Sequence, residues 1–90
     1  MKYIKKKLTI DKVKIEDIAK KFDTPTYCYS YTQLKKNVNN FKKNFRSFSP
    51  LICFAIKSNT NLNLIREIQK FGLGADVVSM GELMMALKAG

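Results

Sequence analysis

Histidine is absent from this chain of 90 residues, and carboxylates are scarce, with seven Asp and Glu against seventeen Lys and Arg. Without histidine, no Ser/His or Cys/His nucleophile system can form within it. The four glycines do not gather into a phosphate loop of the P-loop or dinucleotide type. The two cysteines, Cys28 and Cys53, lack metal-ligand spacing, so no metal site is expected. Both fall in apolar, strand-like runs and are expected to be buried and reduced, as in a cytoplasmic protein. No apolar segment follows the basic start Met1–Lys7, which argues against a secretory signal, a transmembrane helix and a membrane partner. There is no internal repeat or low-complexity tract. The 46% hydrophobic content is that of an ordinary globular chain rather than a disordered one.

The net charge of +10 points first to nucleic acid, but its distribution argues otherwise. Residues 1–50 hold 13 Lys and Arg against 4 Asp and Glu, whereas residues 51–90 hold 4 against 3. The excess is spread as Lys5-Lys6-Lys7, Lys20-Lys21, Lys35-Lys36 and Lys42-Lys43, on the polar sides of segments with an apolar face. Only Arg46 and Arg66 supply guanidinium groups, although bidentate phosphate or base recognition favours arginine. A solvated lysine surface is the expectation, with a small basic nucleic-acid-binding module as the alternative from another functional class.

What is present is a regular alternation of elements. Leu8-Thr9-Ile10 reads as a short strand. Ile15, Ile18, Ala19 and Phe22 form one apolar helical stripe that Asp23-Thr24-Pro25 ends. Thr26-Tyr27-Cys28-Tyr29 is rich in strand formers. Ser30 and Gln33 have capping-box spacing at the start of a helix lined by Leu34, Val38, Phe41 and Phe45. Pro50 opens a continuous apolar run, Leu51–Ile56, the pattern of a strand covered on both faces. A helix over 61–71 turns Leu64, Ile65, Ile68 and Phe71 inward, with Gly72 and Gly74 as stop signals. Ala75–Val78 is a short strand, and Ser79 begins a helix with Leu83, Ala86 and Leu87 as its apolar stripe. Strand and helix alternating from residue 26 predict an α/β fold built from βαβ units on a parallel sheet.

Two residues stand out against that frame. Lys57 follows the apolar strand directly and precedes the polar turn Ser58-Asn59-Thr60-Asn61. The carboxyl ends of parallel strands are where α/β folds gather their active sites. An amine held there, partly desolvated, has a lowered pKa and is available for Schiff-base chemistry; the bland alternative is a lysine that simply reaches solvent. Asp76 interrupts the apolar stretch Ala75-Asp76-Val77-Val78. It is either an edge aspartate in water or a carboxylate inside the mouth of the sheet, one strand over from Lys57, where it could balance a cation. Glu82 completes a capping box with Ser79, which is its simplest role.

Thr24-Pro25-Thr26-Tyr27-Cys28-Tyr29-Ser30 resembles the "TPxYVYS" entry segment of the diaminopimelate decarboxylases. Phe54-Ala55-Ile56-Lys57-Ser58-Asn59 is similar to their "YAVKAN" motif, and Gly74–Leu83 to their "GxDVVSxGEL". The resemblance runs from about Thr24 to the end, with Phe54, Ile56, Ser58 and Met80 as mild departures. It implies the first βα units of a pyridoxal 5'-phosphate-binding (β/α)8 barrel of the alanine racemase type, truncated, since such barrels need about 250 residues. Residues 1–24 are then an N-terminal extension, and 25–90 the incomplete N-terminal part of the barrel domain. The resemblance further implies Lys57 as the catalytic residue that bonds the cofactor, Asp76 as a second cofactor-binding residue and Glu82 as a supporting one. The expected reaction is decarboxylation of meso-diaminopimelate to L-lysine by a cytoplasmic homodimer that engages neither nucleic acid nor membrane. Sister decarboxylases acting on ornithine, arginine, lysine or carboxynorspermidine share the pattern. The 90-residue piece alone is expected to be inactive and poorly folded.

Overall fold

The computed structural model describes residues 1–90, which form two compact units, Met1–Asn44 and Phe45–Gly90. In the first unit, strands β1 (Lys2–Ile4), β2 (Lys7–Ile10) and β3 (Val13–Lys14) make an antiparallel meander. Its register pairs Tyr3 with Leu8 and Ile10 with Val13, which collects these apolar residues on one face. Lys2, Ile4, Lys7, Thr9 and Lys14 fall on the other. Only the middle strand was expected. Its neighbours form through the two-residue loops Lys5-Lys6 and Asp11-Lys12, in which all four residues have positive φ, the condition for a tight hairpin of matching twist. Helix α1 (Ile15–Phe22) packs on β2 and β3 with Ile15, Ile18 and Ala19 half-buried, while Phe22 at the end of the stripe stays exposed.

Thr26–Tyr29, expected as a strand, joins no ladder, and Tyr27 is 91% exposed. Strand propensity reflects fit to a pleated, half-buried surface, and no neighbouring strand supplies one here. Helix α2 (Tyr31–Phe45) begins where the Ser30 hydroxyl oxygen accepts the Gln33 N–H at 3.0 Å. The reciprocal half of the capping box is missing, because the Gln33 amide donates to Asn37 Oδ1 instead, at 2.7 Å. Asp11 takes over part of the cap: its carboxylate accepts from the Ser30 hydroxyl at 2.7 Å and from the Thr32 N–H at 3.1 Å. These bonds, the Ser30 hydroxyl foremost, hold the Asp11 carboxyl below its usual range. Along α2, Val38 is buried and Leu34 half-buried, while Phe41 and Phe45 remain largely exposed.

The second unit is a βαβα run: β4 (Cys53–Ala55), α3 (Leu62–Lys70), β5 (Gly74–Asp76) and α4 (Met80–Ala89). β4 and β5 pair in parallel, Cys53 with Gly74, Phe54 with Ala75 and Ala55 with Asp76. The α/β class with a parallel βαβ unit is the one expected. Both strands are shorter than their apolar runs, because Leu51, Ile52, Val77 and Val78 lie beyond the three paired rungs. Ile56, fully buried, centres the core with Ile65 and Ala89, and Phe54, Leu62, Val77 and Ala86 pack around it. On α4 the inward positions are thus Ala86 and Ala89. Leu83 and Leu87, expected in the stripe, are exposed.

Both helices of this unit are capped as their sequences specify. Asn61 Oδ1 accepts the Asn63 N–H at 2.9 Å to start α3, and Ser79 Oγ accepts the Glu82 N–H at 3.2 Å to start α4. Gly72, at φ 72°, supplies the left-handed residue that turns the chain out of α3. Gly74, read from the sequence as a second stop signal, is instead the first residue of β5.

Replacing Ile56 by alanine is expected to cost roughly 2–5 kcal/mol, because its side chain is wholly enclosed. A lowered urea midpoint at unchanged slope would show it. For Asp11 the folded-state carboxyl titrates below the unfolded one, so its contribution is complete above about pH 4 and is lost as pH falls through the depressed value. Asp11→Asn is therefore expected to flatten the acid limb of a stability-against-pH curve and leave its neutral plateau parallel to wild type.

Candidate functional site

β4 and β5 run in the same direction, so their carboxyl ends lie side by side. Asp76 is the last residue of β5 and the register partner of Ala55, the last residue of β4. Lys57 follows Ala55 by two residues. The sequence alone leaves open whether Asp76 lies near this end of the sheet. The ladder places it there, one strand from the segment that carries Lys57.

Lys57 does not end the strand itself. It is the middle residue of a 3-10 turn, Ile56–Ser58, pinned on both sides. Ile56 anchors the turn in the core. The Ser58 hydroxyl donates to the Ala55 carbonyl at 2.7 Å, and the Asn59 N–H donates to the Ile56 carbonyl at 3.0 Å. Asn59 Oδ1 then accepts the Asn61 N–H at 3.0 Å, which leads the chain into the α3 cap. The polar residues after Lys57 are thus turn and cap residues, as their types indicate, and they fix the backbone that carries the amine.

Exposure corrects the expected surroundings. Lys57 and Asp76 are both exposed, and no ion pair joins them. The amine is not desolvated, because one parallel neighbour cannot wall off the end of a two-stranded sheet. For the same reason the Asp76 carboxylate incurs no burial cost here. Cys53 is likewise exposed and Cys28 half-buried, rather than both being buried; both are free thiols. Glu82 is committed as a cap, but to Val78: its carboxylate accepts the Val78 N–H at 2.9 Å, one residue before the expected partner.

The apolar groove of this unit, about 280 Å³, is lined by Phe54, Ala75, Leu83, Ala86 and Leu87 among others. Phe54 and Ala75 form the middle rung, whose side chains point away from the face of Ala55 and Asp76. This groove therefore belongs to the helix side of the sheet and not to the Lys57 end. At that end the available groups are one primary amine and one carboxylate. Lys57 makes no hydrogen bond or ion pair with the protein. This donor set fits a cofactor that needs a free amine to bond its aldehyde and an anion nearby to balance positive charge.

The chain is similar to known proteins over most of its length. Residues 31–90 match the family described as pyridoxal-dependent decarboxylase, pyridoxal binding domain. The chain is 40% identical over 75 residues to a diaminopimelate decarboxylase of Helicobacter pylori, covering 83% of this chain and 18% of that one. It is 39% identical over all 90 residues to that of Aquifex aeolicus, covering 21% of the relative. A crystal structure from Aquifex aeolicus superposes with a TM-score of 0.90 at 39% identity, over 99% of this chain and 22% of that chain. A crystal structure of diaminopimelate decarboxylase from M. jannaschii in co-complex with L-lysine gives a TM-score of 0.86 at 37% identity, over 92% and 20% of the two chains. The chain thus spans about a fifth of the length of the relatives it matches. With a match to the pyridoxal-binding domain over residues 31–90, the chain belongs to the pyridoxal-dependent decarboxylases.

Proposed function

We propose that Lys57 is the residue that bonds pyridoxal phosphate, and that the full-length protein decarboxylates meso-diaminopimelate to L-lysine and carbon dioxide. The observation that carries this reading is the placement of an unengaged amine at the carboxyl end of β4, beside Asp76 at the end of its parallel neighbour. Bound there, pyridoxal phosphate supplies an electron sink for the pair left when an α-carboxylate departs as carbon dioxide. Lys57 Nζ would bond the cofactor's aldehyde carbon, and the turn locked by Ser58 and Asn59 fixes the backbone that carries that nitrogen. Asp76 would supply an anion close to the bound group. The choice of diaminopimelate over ornithine, arginine, lysine or carboxynorspermidine rests on the relatives' names and on the L-lysine bound in the M. jannaschii structure.

The same reading extends to the architecture. Residues 1–24 are an extension, residues 25–90 open a (β/α)8 barrel, and the complete protein is a cytoplasmic homodimer whose partners are small amino acids rather than nucleic acid or membrane. No helix of the chain is long and apolar enough to cross a membrane. The open sheet and the exposed Val78, Leu83 and Leu87 support completion by further units, because isolated apolar faces of this kind favour association. The 90-residue piece alone is therefore proposed to be inactive and poorly folded; a soluble, cooperative melt together with turnover by this piece would contradict that.

Borohydride reduction of the full-length protein loaded with cofactor should leave pyridoxyl label on the peptide containing Lys57, detected by mass spectrometry. Lys57→Ala should lose the label and at least a thousandfold in turnover, roughly the loss of a covalent catalytic group. Label on another lysine would overturn the assignment. Asp76→Asn should keep the label on Lys57 while binding the cofactor more weakly. Release of carbon dioxide from diaminopimelate, compared with ornithine, arginine and lysine, decides the substrate.

A further inference from the structure

The face of the β4–β5 ladder that carries Asp76 is the one opposite Phe54 and Ala75. Its rungs are Cys53 with Gly74 and Ala55 with Asp76. At the first rung the thiol occupies the space that a side chain at position 74 would need. A Cβ built on Gly74 meets Cys53 Sγ at 3.0 Å, tighter than nine in ten real Cβ contacts, so the thiol must give by a few tenths of an ångström. Its next neighbours, the Ile52 carbonyl oxygen and Leu51 Cδ1, are both at 3.9 Å, ordinary contact distance. The backbone of Gly74 is not in the left-handed region, so conformational freedom is not what calls for glycine there. The close approach of the Cys53 thiol is.

We propose that Cys53 and Gly74 are a size-matched pair that sets the spacing of β4 and β5 and so positions Asp76 against the segment bearing Lys57. The geometric link is short. The Gly74 N–H donates to the Ile52 carbonyl at 2.9 Å, the hydrogen bond at the entry to the ladder. Asp76 lies two residues on, about 7 Å along the strand. Lys57 lies two residues beyond Ala55, the partner of Asp76. A Cβ at position 74 must move either the thiol or the start of β5, and a three-rung strand has little length over which to absorb the movement before its last residue. Cys53 and Gly74 act through Asp76 and Lys57 and touch neither, so they are positioning residues. Their functional consequence rests on the reading of Lys57 as the cofactor-bonding residue.

The test is a double-mutant cycle in the full-length protein, with two readouts: affinity for pyridoxal phosphate from the absorbance of the bound cofactor, and the thermal midpoint of the cofactor-free protein. Gly74→Ala should weaken cofactor binding about tenfold and lower the midpoint, in the range of coupling between packed neighbours. Cys53→Ala alone leaves the rung underfilled and should weaken cofactor binding by about threefold, less than Gly74→Ala does. The double variant should recover both readouts, because the added Cβ then meets nothing closer than 3.9 Å. If Gly74→Ala gives no soluble protein, recovery of soluble, cofactor-binding protein in the double variant stands in for it. A wild-type affinity in Gly74→Ala would overturn the proposal, since the thiol would then simply rotate aside. So would a double variant no better than Gly74→Ala. A midpoint that falls and recovers while cofactor affinity never moves would reduce the pair to packing and overturn the positioning role. Failure of the wild-type protein to bind pyridoxal phosphate would instead sink the assignment of Lys57, and the thermal cycle would still judge the contact.

Discussion

The three-rung parallel ladder between β4 and β5 is the constraint on which the placement of Lys57 and Asp76 depends. Lys57 and Asp76 are nineteen residues apart in sequence, and no hydrogen bond or ion pair joins them. Only the register, Ala55 opposite Asp76, brings their segments to the same end of the same sheet. A slip of one residue would turn Asp76 to the helix side, into the surface where Phe54 and Ala75 face α3 and α4. What prevents the slip is burial. Phe54 and Val77 pack with Ile56, Ile65 and Ala89 on one side only, and exchanging them with Ala55 and Asp76 would place a carboxylate in that cluster.

Ile56 couples this packing to the site more directly than any other residue. It is fully enclosed, and it is the residue immediately before Lys57. In a 3-10 turn successive side chains are about 120° apart, so with Ile56 directed into the core the next residue, Lys57, points away from it. The 3-10 turn over Ile56–Ser58 then stops the strand, and the Ser58 hydroxyl and Asn59 N–H hold that stop in place. The Lys57 side chain is therefore exposed on a backbone segment that is held on both sides.

Helical periodicity carried the helices in readable form: α1 packs on β2 and β3 and α3 on α4, although Phe22, Phe41, Phe45, Leu83 and Leu87 at the edges of the stripes stay exposed. Two features resisted reading for physical reasons. The hairpins around β2 use Lys5-Lys6 and Asp11-Lys12 at positive φ, where the usual signal is glycine or asparagine. Lys5, Lys6, Asp11 and Lys12 display neither of those signals. Thr26–Tyr29 has the composition of a strand but no partner, and a strand without a neighbour is only a segment of chain. At the site, the location of Lys57 was legible from the apolar run and polar turn around it. Its exposure was not, because desolvation depends on what covers the end of the sheet, and two strands do not cover it. Gly74 was misread as a helix stop for a related reason: the contact that calls for glycine comes from Cys53, on another strand.

The charge distribution bears on why Lys57 can be singled out in a chain with so many lysines. Twelve of the lysines lie in Met1–Asn44, on the meander and on α1 and α2. The Phe45–Gly90 unit is close to balanced, and at the carboxyl end of its sheet Lys57 has Asp76 and Glu82 as the nearby carboxylates in sequence and topology. Glu82 is already engaged by the Val78 N–H, which leaves Asp76 as the carboxylate that can respond to a new cation. If Lys57 bonds the cofactor as proposed, Asp76, on the adjacent strand and not closed into an ion pair with Lys57, would be the carboxylate placed to balance positive charge on the bound group.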